Sequence, residues 1–316
     1  MERKIDAIDS DKHENSWFKN VKAPVAGGLA GFLTRAITQP LDCIKVRHQL
    51  QIEPITKKSA GAKYTSTFQT LIVMFKEEGI RGLWKGHVPG QVLSVTYGFG
   101  QFFAYDQFNR HSRLIPFFDQ HSNVRHIVGG GIAGAFSLTI ATPFDVVRTR
   151  FIAQDQGQGY KTMHSAFSSI IRTEGSRGLF RGVVPSVSAI APNAAIQFGT
   201  YNFIIERYTS LMNKETPSRH EILLSGMMSG FVAKSCVYPL DLIKKRLQIQ
   251  QFQSKRTTFG ENITTTGMFD CLRQTLKRES VTGLYKGWTA GVIRSASMSG
   301  LYFFFYEEIT TAFNKL

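Results

Sequence analysis

Residues 40–47 read Pro-Leu-Asp-Cys-Ile-Lys-Val-Arg, and the same pattern of a proline, an acid and two bases returns twice further along the chain. The second copy is Pro-Phe-Asp-Val-Val-Arg-Thr-Arg at 143–150, and the third is Pro-Leu-Asp-Leu-Ile-Lys-Lys-Arg at 239–246. A pattern that recurs about every hundred residues indicates an internal repeat, and such repeats decide the architecture of a chain. We predict a polar N-terminal tail and three equivalent repeats, at residues 1–20, 21–115, 116–213 and 214–316.

Two further blocks accompany the proline in every copy, and the first of them lies at one fixed distance from it. A Gly-x-x-x-Gly pair comes before it, and an acid followed by an aromatic-basic-glycine triplet comes after it. Three blocks that each occur three times in the same order cannot plausibly arise by chance. Each repeat is predicted to form a long helix, a polar segment with a short amphipathic helix, and a second long helix. The long helices are predicted at residues 21–49, 86–110, 123–152, 182–208, 218–248 and 287–313.

The charge and the apolar segments together favour a membrane protein. Lysine and arginine outnumber the acids by 38 to 23, a balance that suits nucleic acid, an anionic membrane surface or a small anionic ligand. A soluble nucleic-acid-binding protein would explain the charge, but not a segment as apolar as Gly-Leu-Tyr-Phe-Phe-Phe-Tyr at 300–306. Charges inside membrane helices, such as Arg35 and Lys234, normally face a bundle interior or a water-filled cavity. We predict an all-α membrane protein with six transmembrane helices in three pseudo-symmetric two-helix repeats.

The residue types give no sign of catalysis. The sequence offers no convincing Ser-His-Asp arrangement, metal-ligand cluster or Walker-type phosphate loop. Its three cysteines are too few and too widely spaced for a disulfide framework or a zinc site. We expect a monomer that is not an enzyme, with no catalytic residues, no metal, no cofactor and no nucleic-acid partner.

The repeated motif also predicts a set of ion pairs. A proline inside a helix removes a backbone hydrogen bond and bends the helix, so Pro40, Pro143 and Pro239 would bend three helices at one depth. The motif acid and the base three residues later lie near one face of the helix. Around a threefold pseudo-axis each acid would meet the base of the next repeat, whereas three ordinary intrahelical pairs are the alternative. The predicted inter-repeat pairs are Asp42–Arg148, Asp145–Lys244 and Asp241–Lys45.

The motifs, the glycine pairs and the triplets resemble those of the mitochondrial carrier family over about residues 20–313. The resemblance implies six transmembrane helices, three short matrix helices and a multi-pass location in the inner mitochondrial membrane. A central cavity would open alternately to the two sides of the membrane. The inter-repeat ion pairs would close that cavity on the matrix side, and we call them the matrix gate. The family's glutamine braces, nine residues after the proline, match Gln49 and Gln248 but not Ile152.

The resemblance also implies three lipid-binding sites. In the family, the triplets are cardiolipin sites, and here each triplet precedes a predicted helix N-terminus. Free backbone amides and the helix dipole favour phosphate at such a position. An interfacial aromatic-basic anchor is a compatible interpretation. The matching residues are Lys85 and Gly86, Arg181 and Gly182, and Lys286 and Gly287.

The family pattern further indicates which side chains face the cavity. Two sets of positions match it: those five residues before the motif proline, and those seven or more residues after the triplet glycine. The matching residues are Arg35, Leu138 and Lys234 in the first set, and Leu93, Tyr97, Ala189, Ile190, Asn193 and Arg294 in the second.

Three of these cavity residues are cations, and we predict that Arg35, Lys234 and Arg294 are unpaired. Burying unpaired charges is costly unless an anion occupies the site, so the substrate should carry a di- or triphosphate. The small aliphatic surface at Ala189 and Ile190 would pack against a flat heteroaromatic ring. A ring that bears a pyrophosphate, coenzyme A and an adenine nucleotide all satisfy this description.

Overall fold

The computed structural model describes residues 2–52, 62–155, 157–212, 217–252, 259 and 264–315, with side chains described outside 2–21, 219 and 314–315. This part of the chain is helical and contains no strand. In chain order the helices are α1 (Glu2–Leu50), α2 (Thr67–Leu83), α3 (His87–Ser112), α4 (Pro116–Gln120), α5 (Ser122–Ala153), α6 (Met163–Glu174), α7 (Val183–Ser188), α8 (Ile190–Leu211), α9 (Arg219–Gln248), α10 (Met268–Gly283) and α11 (Trp288–Lys315), with a 3-10 helix at Ser176–Phe180.

The predicted long helices are present, with two differences. Helix α1 begins at Glu2 instead of residue 21, because no proline or glycine interrupts the polar segment before Pro24. The predicted helix over 182–208 is divided, since α7 ends at Ser188 and α8 starts at Ile190. Pro192 has no N–H to donate to the carbonyl group of Ser188, which accounts for the break. Helices α1, α5 and α9 continue through the motif prolines.

The long helices carry large apolar side chains that are exposed on their surfaces. On α3 the side chains of Phe99 and Phe102 are 72% and 81% exposed, and on α11 Phe303 is 70% exposed. Within the described residues, two helical segments are apolar and long enough to cross a membrane, at Ser122–Ala153 and Ser176–Leu211. The exposed phenylalanines therefore suit contact with lipid, where an apolar outer surface costs nothing.

The chain divides into two compact units. The smaller unit comprises Met1–Asp42 and Thr289–Leu316, the first part of α1 and nearly all of α11. Here the glycine pair of the first repeat lies against a tyrosine ring, since a Cβ at Gly27 or Gly31 would be 3.4 or 3.9 Å from Tyr302. Close approach of two helices at small residues is the packing that such glycine pairs favour in lipid.

The larger unit runs from Cys43 to Trp288. Within it α3 packs along α5, and α8 packs along α9. The α3–α5 contact is close at Gly100, where a Cβ would be 2.4 Å from Ile140. The unit also contains the short amphipathic helices α2, α6 and α10, as the sequence predicts for the segments between the long helices.

Each short amphipathic helix has a residue with a positive φ angle, inside α2 and α10 and directly after α6. The φ angles are 67° at Gly79, 71° at Gly175 and 59° at Ser280. Ser280 combines its φ with a ψ of −169°, a region that is essentially reserved for glycine. The third repeat therefore has a strained residue where the first two have glycine.

Replacing Ser280 by glycine should stabilise the protein by about 1 kcal/mol, because relief of backbone strain exceeds the entropy that glycine gains in the unfolded chain. Thermal unfolding in detergent would measure the gain as a higher melting temperature. Ser280→Ala is the matched control, since it keeps the Cβ atom and should give no gain. Equal melting temperatures for the two variants would contradict the strain at this position.

Candidate functional site

The last arginine of each motif joins its repeat to the next one. Each arginine Nε donates to a backbone carbonyl nine residues after the next motif proline. The donor-to-oxygen distances are 3.3 Å from Arg47 to Ile152, 3.0 Å from Arg150 to Gln248, and 3.1 Å from Arg246 to Gln49. The three bonds form a closed ring, all within the larger unit. They bring the C-terminal ends of α1, α5 and α9 together with pseudo-threefold symmetry.

A buried glutamate neutralises each of these arginines. Glu78 accepts two hydrogen bonds from Arg47, at 2.7 and 2.8 Å, and lies 2.9 Å from Lys85. Its side chain is 8% exposed and that of Arg47 is 1% exposed. A buried charge needs such a partner because burial removes its hydration. The corresponding groups in the other repeats are Arg150, Glu174 and Arg181, and Arg246, Glu279 and Lys286.

The first of these clusters also contains a tyrosine. The hydroxyl group of Tyr64 accepts a hydrogen bond from Arg47 at 2.7 Å, and the Phe259 ring packs against the Tyr64 ring. Burial raises the pKa of Tyr64 to about 12, so the phenol stays neutral. Burial lowers the pKa of Lys85, while the neighbouring Glu78 carboxylate acts in the opposite direction. Sequence analysis missed these roles, although the constant distance from acid to triplet was a usable signal.

The triplet glycines lie directly against the bases of the matrix gate. A Cβ at Gly86 would be 3.0 Å from the carbonyl oxygen of Arg148, and φ at Gly86 is 73°. Both the close approach and the left-handed backbone exclude larger residues. The equivalent contacts join Gly182 to Lys244 at 3.1 Å and Gly287 to Lys45 at 2.8 Å. These glycines therefore have a packing role at the gate, whereas their part in lipid binding stays a prediction.

Two of the three predicted gate pairs are present as contacts. Lys244 Nζ lies 2.9 Å from Asp145 Oδ2, and Lys45 Nζ lies 3.8 Å from Asp241 Oδ2. Asp42 belongs to the smaller unit and Arg148 to the larger one, so that pairing stays a prediction.

The two glutamine braces make different contacts. Gln248 donates to Asp145 Oδ2 at 2.9 Å and so contacts the acid of the Asp145–Lys244 pair. Gln49 instead donates to the hydroxyl group of Tyr238 at 3.1 Å. The ring of Tyr238 lies 5.4 Å from Lys45 Nζ. Gln49 thus reaches the gate base through an aromatic ring.

The prediction of unpaired cavity cations is wrong, as the contacts of Lys234 and Arg294 illustrate. Lys234 Nζ lies 3.0 Å from Asp241 Oδ2, and Arg294 pairs with Asp42 within the smaller unit. Lys234 precedes Asp241 by two helical turns, which places both on one face of α9. The Asp42 side chain is 6% exposed, and a buried carboxylate requires a counter-charge. Two gate acids therefore also hold two of the proposed substrate cations.

The remaining cavity residues lie on the helices that the sequence predicts. Arg35 is buried on α1, and Leu93 and Tyr97 are half-buried on α3. The half-buried group on α5 and at the α7–α8 break comprises Leu138, Ala189, Ile190 and Asn193. The roles of all these residues in substrate binding stay predictions. Within the described ranges, no group of histidine, cysteine and acidic side chains could hold a metal ion.

Known proteins share the repeats and most of the chain. The family model for "Mitochondrial carrier protein" matches residues 16–114, 119–211 and 216–316. A "Mitochondrial thiamine pyrophosphate carrier" of Macaca fascicularis is 35% identical over 296 residues, 93% of this chain and 92% of the relative. The human protein of that name is 35% identical over 292 residues, 92% and 91% of the two chains. A "Mitochondrial thiamine diphosphate carrier 1" of Arabidopsis thaliana is 33% identical over 313 residues, 89% and 91%.

Proposed function

The chain belongs to the mitochondrial carrier family, and from this premise we propose that it imports thiamine pyrophosphate into the mitochondrial matrix in exchange for nucleotides. The observation that carries the proposal is the similarity to relatives named for this substrate, which extends over about nine tenths of each chain. The segments that most resemble a thiamine pyrophosphate carrier are residues 84–89, 145–151, 189–192 and 238–248.

The proposed binding site combines cations with an apolar surface. Arg35, Lys234 and Arg294 would hold the pyrophosphate, because guanidinium and ammonium groups are good donors to phosphate oxygens. Lys234 is suited to this role since its side chain is 56% exposed while it contacts Asp241. A phosphate can therefore replace that aspartate without a large desolvation cost. The residues proposed to contact the rings or line the cavity are Leu93, Tyr97, Leu138, Ala189, Ile190 and Asn193.

Transport would proceed by alternating access without covalent chemistry. The matrix gate would be formed by the inter-repeat ion pairs of the motif acids and bases, and the motif prolines and glutamine braces would support it. A closed matrix side would be held by contacts such as Asp145–Lys244 and Asp241–Lys45. Phosphate groups that bind Lys234 and Arg294 would withdraw these cations from the gate acids Asp241 and Asp42. Substrate binding would thereby change the charge balance of the gate, as an exchanger requires.

We further propose a monomeric, multi-pass protein of the inner membrane that binds cardiolipin and needs no cofactor. The triplet bases Lys85 and Arg181 already contact buried glutamates, at 2.9 and 3.1 Å. A lipid phosphate would therefore be held mainly by the backbone amides that follow the triplet glycines. Helices α3 and α7 begin after Gly86 and Gly182 without a side-chain cap, so the early amides of Val88, Val183 and Val184 are not capped by a side chain.

Reconstitution into liposomes tests the substrate. With ATP inside, labelled thiamine pyrophosphate should enter much faster than labelled thiamine, because thiamine lacks the anionic groups for the three cations. Protein-free liposomes and a Lys234→Ala variant are the controls, and both should show little uptake. Uptake of coenzyme A or ATP in the absence of thiamine pyrophosphate uptake would contradict the substrate assignment and leave the carrier mechanism intact.

A further inference from the structure

Lys245 makes an ion pair with Asp145 that the gate motif does not predict. Its Nζ atom lies 2.8 Å from Asp145 Oδ1, while Lys244 and Gln248 contact the other oxygen, Oδ2. The ammonium group of Lys245 also donates to Thr149 Oγ1 at 3.0 Å and to Gln248 Oε1 at 3.1 Å. These three contacts use all three donors of the ammonium group.

The cluster around Asp145 is shielded from solvent. The side chain of Asp145 is 6% exposed, and those of Lys244 and Lys245 are 17% and 15% exposed. Thr149 and Gln248 are fully buried, and their side-chain oxygens are 2.6 Å apart. Charge-assisted hydrogen bonds in such surroundings are stronger than bonds between neutral groups. Asp145 and Thr149 belong to α5 and the other three residues to α9, so the cluster fastens these two helices together.

The matrix gate is therefore unequal around its pseudo-threefold axis. Asp241 presents one oxygen, Oδ2, to both Lys45 at 3.8 Å and Lys234 at 3.0 Å, whereas Asp145 has a lysine on each oxygen. The sequence carries the cause, since the positions equivalent to Lys245 are Val46 and Thr149 in the other repeats. The third repeat alone has a base there.

We propose that Lys245 is a positioning residue of the matrix gate that keeps α5 and α9 together when the carrier is empty. In this assignment the α5–α9 contact is the last part of the gate to open. The Lys245–Asp145 ion pair prevents the empty carrier from switching between its two open conformations. It therefore favours exchange over one-way transport. The inference rests on the proposed carrier function, but not on the identity of the substrate.

The test compares one-way efflux with exchange in liposomes loaded with labelled thiamine pyrophosphate. Lys245→Met removes the ammonium group and leaves Asp145 in contact with Lys244 and Gln248. The ratio of efflux without external substrate to efflux with it should rise by about tenfold, the effect of losing one charge-assisted contact from the closed gate. Lys245→Arg keeps the charge and should keep the ratio within a few-fold of the unmodified protein.

The control is Lys161→Met, an exposed lysine in the segment before α6, which should leave the ratio unchanged. A purely structural role for Lys245 would lower both fluxes together and leave their ratio unchanged, and that result would overturn the inference. If the unmodified protein does not transport thiamine pyrophosphate, the substrate proposal fails. The same ratio is then measured with whichever of ATP and coenzyme A it exchanges, so that the inference about Lys245 is tested separately.

Discussion

Replacing Glu78 by glutamine is expected to lower the free energy of unfolding by about 3–5 kcal/mol, the usual cost of removing one partner from a buried ion pair. Glu78 is the only acid that the structure places against both Arg47 and Lys85 among the ion pairs of the described residues. A glutamine is nearly isosteric but neutral, so the Arg47 guanidinium would lose the carboxylate that neutralises it. The Arg47 side chain is 1% exposed and cannot recover its hydration without local unfolding.

The neighbouring residue provides a matched control. Glu77 lies on the same helix and pairs with Lys63 at 2.6 Å, but its side chain is 47% exposed. Exposed pairs contribute little, so Glu77→Gln should change stability by less than about 1 kcal/mol. Thermal unfolding in detergent can be followed by labelling the buried thiols of Cys43 and Cys271 in a Cys236→Ser background, because Cys236 is exposed from the start. Equal melting temperatures for the two glutamine variants would refute the role of Glu78.

The repeats made most of the helix positions predictable. A repeated block marks the same place in each repeat, so a structural interpretation of one copy applies to the other two. The prediction failed where a feature belongs to one copy alone. The early start of α1 at Glu2 and the interruption after Ser188 both depend on local residues that the other repeats do not share.

The same reasoning explains the success and the limits of the site prediction. Symmetry predicts that Asp145 meets Lys244, and the pair is 2.9 Å apart. Symmetry gives no information on Lys245, which has no counterpart in the other repeats. Symmetry also cannot predict whether Asp241 lies closer to Lys45 or to Lys234. That depends on side-chain distances and solvation in the folded protein. The prediction that the cavity cations are unpaired was wrong for this reason.

Replacing Arg294 by alanine is expected to reduce thiamine pyrophosphate uptake by about tenfold to a hundredfold, the range for loss of a charge-assisted contact to phosphate. Arg294 pairs with Asp42 in the smaller unit, so loss of uptake alone would not separate a substrate contact from a gate contact. The reversed pair, Asp42→Arg with Arg294→Asp, makes the distinction. It retains opposite charges at the two positions, but it puts an anion where the phosphate should bind.

We expect the reversed pair to remain as inactive as Arg294→Ala, because an aspartate at position 294 repels a pyrophosphate instead of binding it. Arg113→Ala, at an exposed arginine after α3, is the control for loss of positive charge and should transport normally. Melting temperatures in detergent check that each variant is folded. Recovery of uptake by the reversed pair would assign Arg294 to the gate alone. The cations left to hold the pyrophosphate would then be Arg35 and Lys234.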